Sequence, residues 1–261
     1  MFKKLGGAVL LTTIVLAGCK GNDAHATGET FSVAQQHAIE KIASAYIIQH
    51  PEVLVQASKE LQRREYQRVD AEQRQMVFNN LDKIITANTP KYTADDKHKP
   101  TIKVIEFFDY QCAFCSKLSP VIEKLAADKD VELVFKETPI FGEHWSASSY
   151  AANVGNAIYK QFGGAKYLKF HNAVFDTHKD EGNLRKEDVN AAIKVAGIDV
   201  TKLKVNDAES KQSLSVFGAL GFTGTPMVVV VKENPKSSAD IKLIRGYSPD
   251  GVMNAISALK A

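Results

Sequence analysis

Cysteine is scarce in this chain of 261 residues: there are three, Cys19, Cys112 and Cys115. A set that small excludes a disulfide framework, and a lone CxxC in an oxidising compartment is catalytic or metal-binding before it is structural. Net charge is nearly absent as well. The balance of 33 basic against 30 acidic residues is +3, and loss of residues 1–18 would remove Lys3 and Lys4 and leave +1. Nothing in that balance argues for nucleic acid or an acidic ligand. The chain has no internal repeat and no low-complexity segment. Gly163-Gly164 follows no strand-like run and precedes no Gly-Lys-Ser or Gly-Lys-Thr, so it reads as an interhelix turn rather than a phosphate loop. The seven histidines include no HxxxH pair near the cysteines, where zinc would need at least two more ligands. No metal and no cofactor is expected.

Against this background the pair Cys112 and Cys115 stands out, because it directly follows the apolar run 102–108. A CxxC where a strand ends and a helix begins puts one thiol at the helix N-terminus and the other one turn later. The free N–H groups and positive dipole end there favour the Cys112 thiolate, expected at an exposed turn. Cys115 is then within reach to resolve a mixed disulfide. Glu106 shares a strand face with Val104 and Phe108 by alternation, so desolvation should raise its pKa and suit it to exchange protons with Cys115. A strand-end carboxylate reaching water is the plainer alternative.

The amino terminus carries Lys3 and Lys4, an apolar stretch over 8–16 and small residues before Cys19. That pattern is an export signal, and it is too short for a comfortable membrane span. The ending Leu16-Ala17-Gly18-Cys19 resembles the lipobox of bacterial lipoproteins. The resemblance implies that Cys19 is acylated and becomes the first mature residue, held in a bilayer by about 0.8 kcal/mol per buried methylene. Lys20, where Asp would signal retention in enterobacterial lipoproteins, points to the outer rather than the inner membrane.

Residues 20–30 lack apolar periodicity and read as a tether, giving a signal over 1–18 and a tether over 19–30. Helical spacing follows from Phe31, is broken at His50-Pro51, and resumes in one long helix as far as Ala87 with a narrow apolar stripe amid many charges. Such a stripe buries little alone, so residues 31–88 are expected to be an oligomerisation arm, with a dimer the expected state. A solvated helix against the main domain is the other reading. A polar linker is expected over 89–100. Beyond it come strand, helix, strand, a helical stretch over about 143–220, then two strands and a helix over 101–261.

That order, with CxxC after the first central strand and Gly224-Thr225-Pro226 opening the Val-rich strand, resembles the thioredoxin superfamily. The segment Glu106-Phe107-Phe108-Asp109-Tyr110-Gln111-Cys112-Ala113-Phe114-Cys115 is similar to the active-site sequence of its DsbA-like periplasmic members. The resemblance implies an α/β thioredoxin fold interrupted by a helical insertion. It implies thiol–disulfide oxidoreductase activity with Cys112, Cys115 and Glu106 catalytic, and a cis proline at Pro226 that leaves Thr225 free to pair with substrate backbone. The amino-terminal helices resemble the oligomerising arms of ScsC-type proteins. Implied partners are exported cysteine-containing proteins and a membrane redox partner, either a quinone-coupled oxidase or an electron shuttle. The sequence departs from strongly oxidising members in carrying Ala113-Phe114 in place of Pro-His, and Thr225 in place of Val. Both departures lean toward isomerisation. A noncatalytic envelope scaffold on the same frame is the alternative of a different class.

Overall fold

The computed structural model describes residues 31–260. The signal, the tether and Cys19 therefore lie outside the described residues. Contacts divide the chain into a unit ending at Glu60 and a second unit, Leu61–Ala261.

The first unit holds helix α1 (Val33–Gln49) and the start of α2 (Glu52–Asn79). Ser32 opens α1 with a capping box: its hydroxyl accepts from the Gln35 N–H at 3.3 Å, and the Gln35 carboxamide accepts from the Ser32 N–H at 2.8 Å. No residue of α1 is buried, and Val33, Ile42 and Ile48 are more than two-thirds exposed at 68%, 70% and 79%.

The second unit is built on a five-stranded sheet in the order β1-β3-β2-β4-β5. These strands are β1 (Lys91–Thr93), β2 (Ile102–Phe108), β3 (Val131–Glu137), β4 (Met227–Lys232) and β5 (Ile241–Arg245). β2 pairs parallel with β3 and antiparallel with β4, so it is central and apolar on both faces. Strand alternation splits its side chains. Val104 and Phe108 face a core shared with α4 (Ala113–Leu125), α5 (Ser146–Phe162), α6 (Gly164–Phe175), α7 (Lys186–Val195) and α9 (Pro249–Lys260). Ile105 and Phe107 face a second core with Val77 of α2, Ile84 of α3 (Leu81–Ile84) and Phe217 of α8 (Ala208–Ala219). The expected helical insertion is thus four helices, α5 to α8, with no strand among the described residues 143–220.

Three expectations are corrected. The long helix does not run to Ala87; α2 ends at Asn79, where the Asn80 side chain turns back onto the Met76 carbonyl at 2.8 Å. The boundary expected at residue 88 falls inside the second unit, because Val77 and Ile84 are fully buried against the sheet and cannot belong to a detached arm. The expected linker contains β1, whose Tyr92 sits opposite Leu133 of β3.

Candidate active site

β2 delivers the chain to a turn, Asp109 to Gln111, and Cys112 then caps α4. Cys112 keeps an extended backbone, as an N-cap residue does, and its sulfur accepts the Cys115 N–H at 3.4 Å. The thiol expected at an exposed turn is only 5% exposed, whereas Phe114 stands out at 55%. Across from it the loop before β4 brings Thr225, whose carbonyl accepts from the Cys112 thiol at 3.2 Å. The Thr225–Pro226 peptide bond is cis. The Thr225 hydroxyl is buried without a hydrogen-bond partner.

These neighbours set the charge on sulfur. The Cys112 thiol is drawn down to about 6, first by the Cys115 thiol that donates to it, then by the backbone N–H groups of Cys115 and Phe114. Burial opposes them. Cys115 has no exposure, and burial pushes its thiol well up, helped by the charges of Cys112 and Glu106. Glu106 is 2% exposed and neither carboxylate oxygen has a hydrogen-bond partner, so the reading of a carboxylate reaching water does not hold. Burial, and then the Cys112 charge, raise it to about 8. The structure thus brings Cys112 to Cys115 and to Thr225 in direct contact, with Glu106 near enough to feel both sulfurs.

Sequence reasoning missed how the turn ahead of Cys112 is held. Asp109 accepts from the Gln111 N–H at 2.8 Å, the Phe141 N–H at 2.9 Å and the Ser148 hydroxyl at 2.8 Å. Gln111 donates to the Leu184 carbonyl at 3.2 Å and accepts from the Gly182 N–H at 2.8 Å. Tyr110 donates to Glu137 at 3.0 Å beside Tyr167, which donates to the same oxygen at 2.8 Å. Buried neutral His171, pushed down to about 3 by desolvation, lies 3.3 Å from the Tyr110 hydroxyl. A Cβ at Gly155 would collide with that Glu137 oxygen. Asp109→Ala is expected to strand these donors and cost about 3 kcal/mol. Calorimetry should show a Tm lower by several degrees, and the Cys112 titration should move toward an ordinary thiol. Unchanged values for both would remove Asp109 from the site's support.

Among the described residues, no group of three or more His, Cys, Asp or Glu is placed to hold a metal. No described helix is long and apolar enough to cross a membrane.

Residues 103–245 match the DSBA-like thioredoxin domain family. The chain belongs to that family. Residues 35–68 match a second description, the copper resistance protein ScsC N-terminal domain. Salmonella enterica Typhimurium BcfH is 30% identical with a TM-score of 0.74, over 88% of this chain and 97% of that one. A thioredoxin-like oxidoreductase from Silicibacter pomeroyi DSS-3 is 28% identical with a TM-score of 0.53, over 69% and 98%. A periplasmic thioredoxin-like protein from Salmonella enterica serovar Typhimurium is 20% identical and shares the fold, with a TM-score of 0.54 over 69% and 95%. No curated protein matches. DSBA-like membership makes thiol–disulfide oxidoreduction the family-level activity, and the matched residues include the helices between β3 and β4.

Proposed function

We propose that this chain is a lipid-anchored thiol–disulfide oxidoreductase of the bacterial envelope that forms or isomerises disulfides in exported proteins. The Cys112 thiolate attacks a client disulfide, forms a Cys112–client bond and releases one client thiolate. Glu106 takes the Cys115 proton, and the Cys115 thiolate attacks the Cys112 sulfur, leaving a Cys112–Cys115 disulfide and a reduced client. The reverse sequence oxidises a client, and release by the client's own second thiol isomerises it. Thr225 and Pro226 face Cys112 and hold the client backbone. The Thr223, Gly224 and Thr225 N–H groups have no backbone partner among the described residues, which supports that role.

The observation that carries this reading is Cys112 as the N-cap of α4, its thiol drawn down to about 6. The test is alkylation rate against pH. A midpoint near 6 is expected, and one near the ordinary thiol value of about 8.5 would sink the assignment.

Ala113-Phe114 offers the thiolate no side-chain cation or strong donor between the cysteines, which supports isomerisation over strong oxidation. A protein used that way is kept reduced by a membrane electron shuttle; one used as an oxidase is recharged by a quinone-coupled partner. Phe114→His should raise the reduction potential, by about 30 mV for each 1.4 kcal/mol of added thiolate stabilisation. An unchanged potential in glutathione buffers would show that this position does not tune the couple.

The signal pattern and Cys19 support a place on the periplasmic face of a membrane, and Lys20 supports the outer one. Incorporation of labelled fatty acid that survives Cys19→Ala would exclude the anchor. The exposed apolar side chains of α1 support a homo-oligomer, a dimer in the simplest case, with an arm that includes residues 31–60. Removing those residues while keeping Val77 and Ile84 should give a monomer by sedimentation. An unchanged oligomer would count against the arm.

A further inference from the structure

A cavity of about 180 Å³ lies beside the loop that carries Thr225, lined by that loop from Gly221, by Met227, by Gly246 and by Gln73 and Arg245. One residue separates it from the reacting sulfur, since Thr225 is both a wall of the cavity and the residue whose carbonyl meets Cys112. Arg245 is set directly across β4–β5 from Met227, and the Gly246 N–H donates to the Pro226 carbonyl at 2.9 Å.

The wall is fixed rather than flexible. Gln73 is 7% exposed, donates to the Gly221 carbonyl at 2.7 Å and accepts from Arg245 Nη2 at 2.6 Å. Arg245 Nη1 donates to Asp70 at 2.9 Å and to the Tyr66 hydroxyl at 3.1 Å, with the guanidinium 5.2 Å from the Tyr66 ring centre. Held in this way, the guanidinium loses little further freedom on meeting a ligand.

The chemistry of the lining has one sign. Arg245 is the one charged side chain among the lining residues. Of its five N–H groups, three are used by Tyr66, Asp70 and Gln73, which leaves Nε–H and one Nη2–H without a protein partner among the described residues. Asp70 is shared with Arg74, whose Nε lies 2.9 Å from its second oxygen, so the cluster of Asp70, Arg74 and Arg245 keeps a net positive charge.

We propose that this cavity is a client subsite that accepts a carboxylate side chain next to the client's reacting cysteine, recognised by Arg245. This rests on the thiol-exchange reading above. It makes Arg245 a specificity residue and Gln73 the group that positions it.

The test uses the full chain carrying Cys115→Ser, so that the Cys112–peptide bond persists. Symmetrical peptide disulfides with Glu, Gln or Lys placed before or after the cysteine are offered, and the trapped fraction is read by mass spectrometry. At one of the two flanks, Glu should be trapped about fivefold better than Lys, with Gln between them. Arg245→Gln should reduce that ratio to about one, and comparing variants on the same peptides removes differences in the peptides' own thiol acidity. Asp70→Asn, which keeps an acceptor for Arg245 but deletes its counter-charge, should raise the ratio, and it decides the matter if Arg245→Gln does not fold. Equal trapping of Glu and Lys at both flanks, or a ratio that neither variant moves, would overturn the subsite alone. No trapping of any peptide would overturn the exchange reading and the subsite together.

Discussion

Cys112→Ala is expected to lower thiol–disulfide exchange by at least about three orders of magnitude while leaving the fold in place. The size follows from the absence of a substitute: Cys115 is fully buried and its thiol is pushed well up, so it can neither reach a client nor ionise readily. The fold survives because Cys112 contributes little besides its sulfur. The variant gives up two sulfur contacts, the cap on the Cys115 N–H at 3.4 Å and the bond to the Thr225 carbonyl at 3.2 Å, each worth about 1 kcal/mol. Insulin reduction should therefore stop while circular dichroism stays as in the wild type. Cys112→Ser sharpens the point, since its hydroxyl can still cap α4 but is too weakly acidic to attack. If either variant kept wild-type turnover, the chain would be a scaffold on a thioredoxin-like frame. If Cys115→Ala stalled with a client attached, the order of attack and resolution would be fixed independently.

The parts of this site that were legible in the sequence are those written in short-range pattern. β2 is apolar on both faces because it pairs on both edges, and the CxxC follows it at once. Glu106 could be assigned to a buried face from the two-residue period alone. What could not be read is what depends on partners far along the chain. The turn residues Asp109 and Gln111 look like ordinary polar loop residues until Phe141, Ser148, Gly182 and Leu184 are brought to them. One local signal existed: the Asp109 carboxylate receiving the N–H two residues on is an Asx turn. β1 escaped notice because three residues after Pro90 carry no period, and only the edge of β3 makes them a strand. The end of the arm is not legible because its charged stripe and its buried end belong to one helix, and spacing does not reveal that Val77 meets a sheet core. Thr225 lies 113 residues from Cys112, so resemblance alone paired them in the sequence.

Glu106→Gln should have two separable effects, one on stability and one on resolution. A carboxyl whose pKa is near 8 in the fold and near 4.5 when unfolded binds a proton in the native state that the unfolded chain lacks between those values. The Glu106 contribution to stability should therefore fall as pH rises through that window, by on the order of 3 kcal/mol at pH 7 relative to pH 4.5, while His171, held neutral with its pKa near 3, contributes in the opposite sense. Glutamine does not titrate, so the difference in stability between variant and wild type in denaturant melts should grow with pH across the window; a constant difference would show that Glu106 does not carry this proton. The kinetic effect comes from the same burial. The Cys112 thiolate is one of the two causes holding Glu106 protonated, and that charge disappears once Cys112 is bonded to a client. Glu106 then ionises more readily at the moment Cys115 must lose its proton. Glutamine cannot accept that proton, so mixed disulfide should accumulate and its resolution slow by on the order of a hundredfold, while the initial attack by Cys112 stays near the wild-type rate. Quenched-flow trapping separates the two steps. Equal slowing of both, or of neither, would reduce Glu106 to a buried charge with no part in the proton transfer.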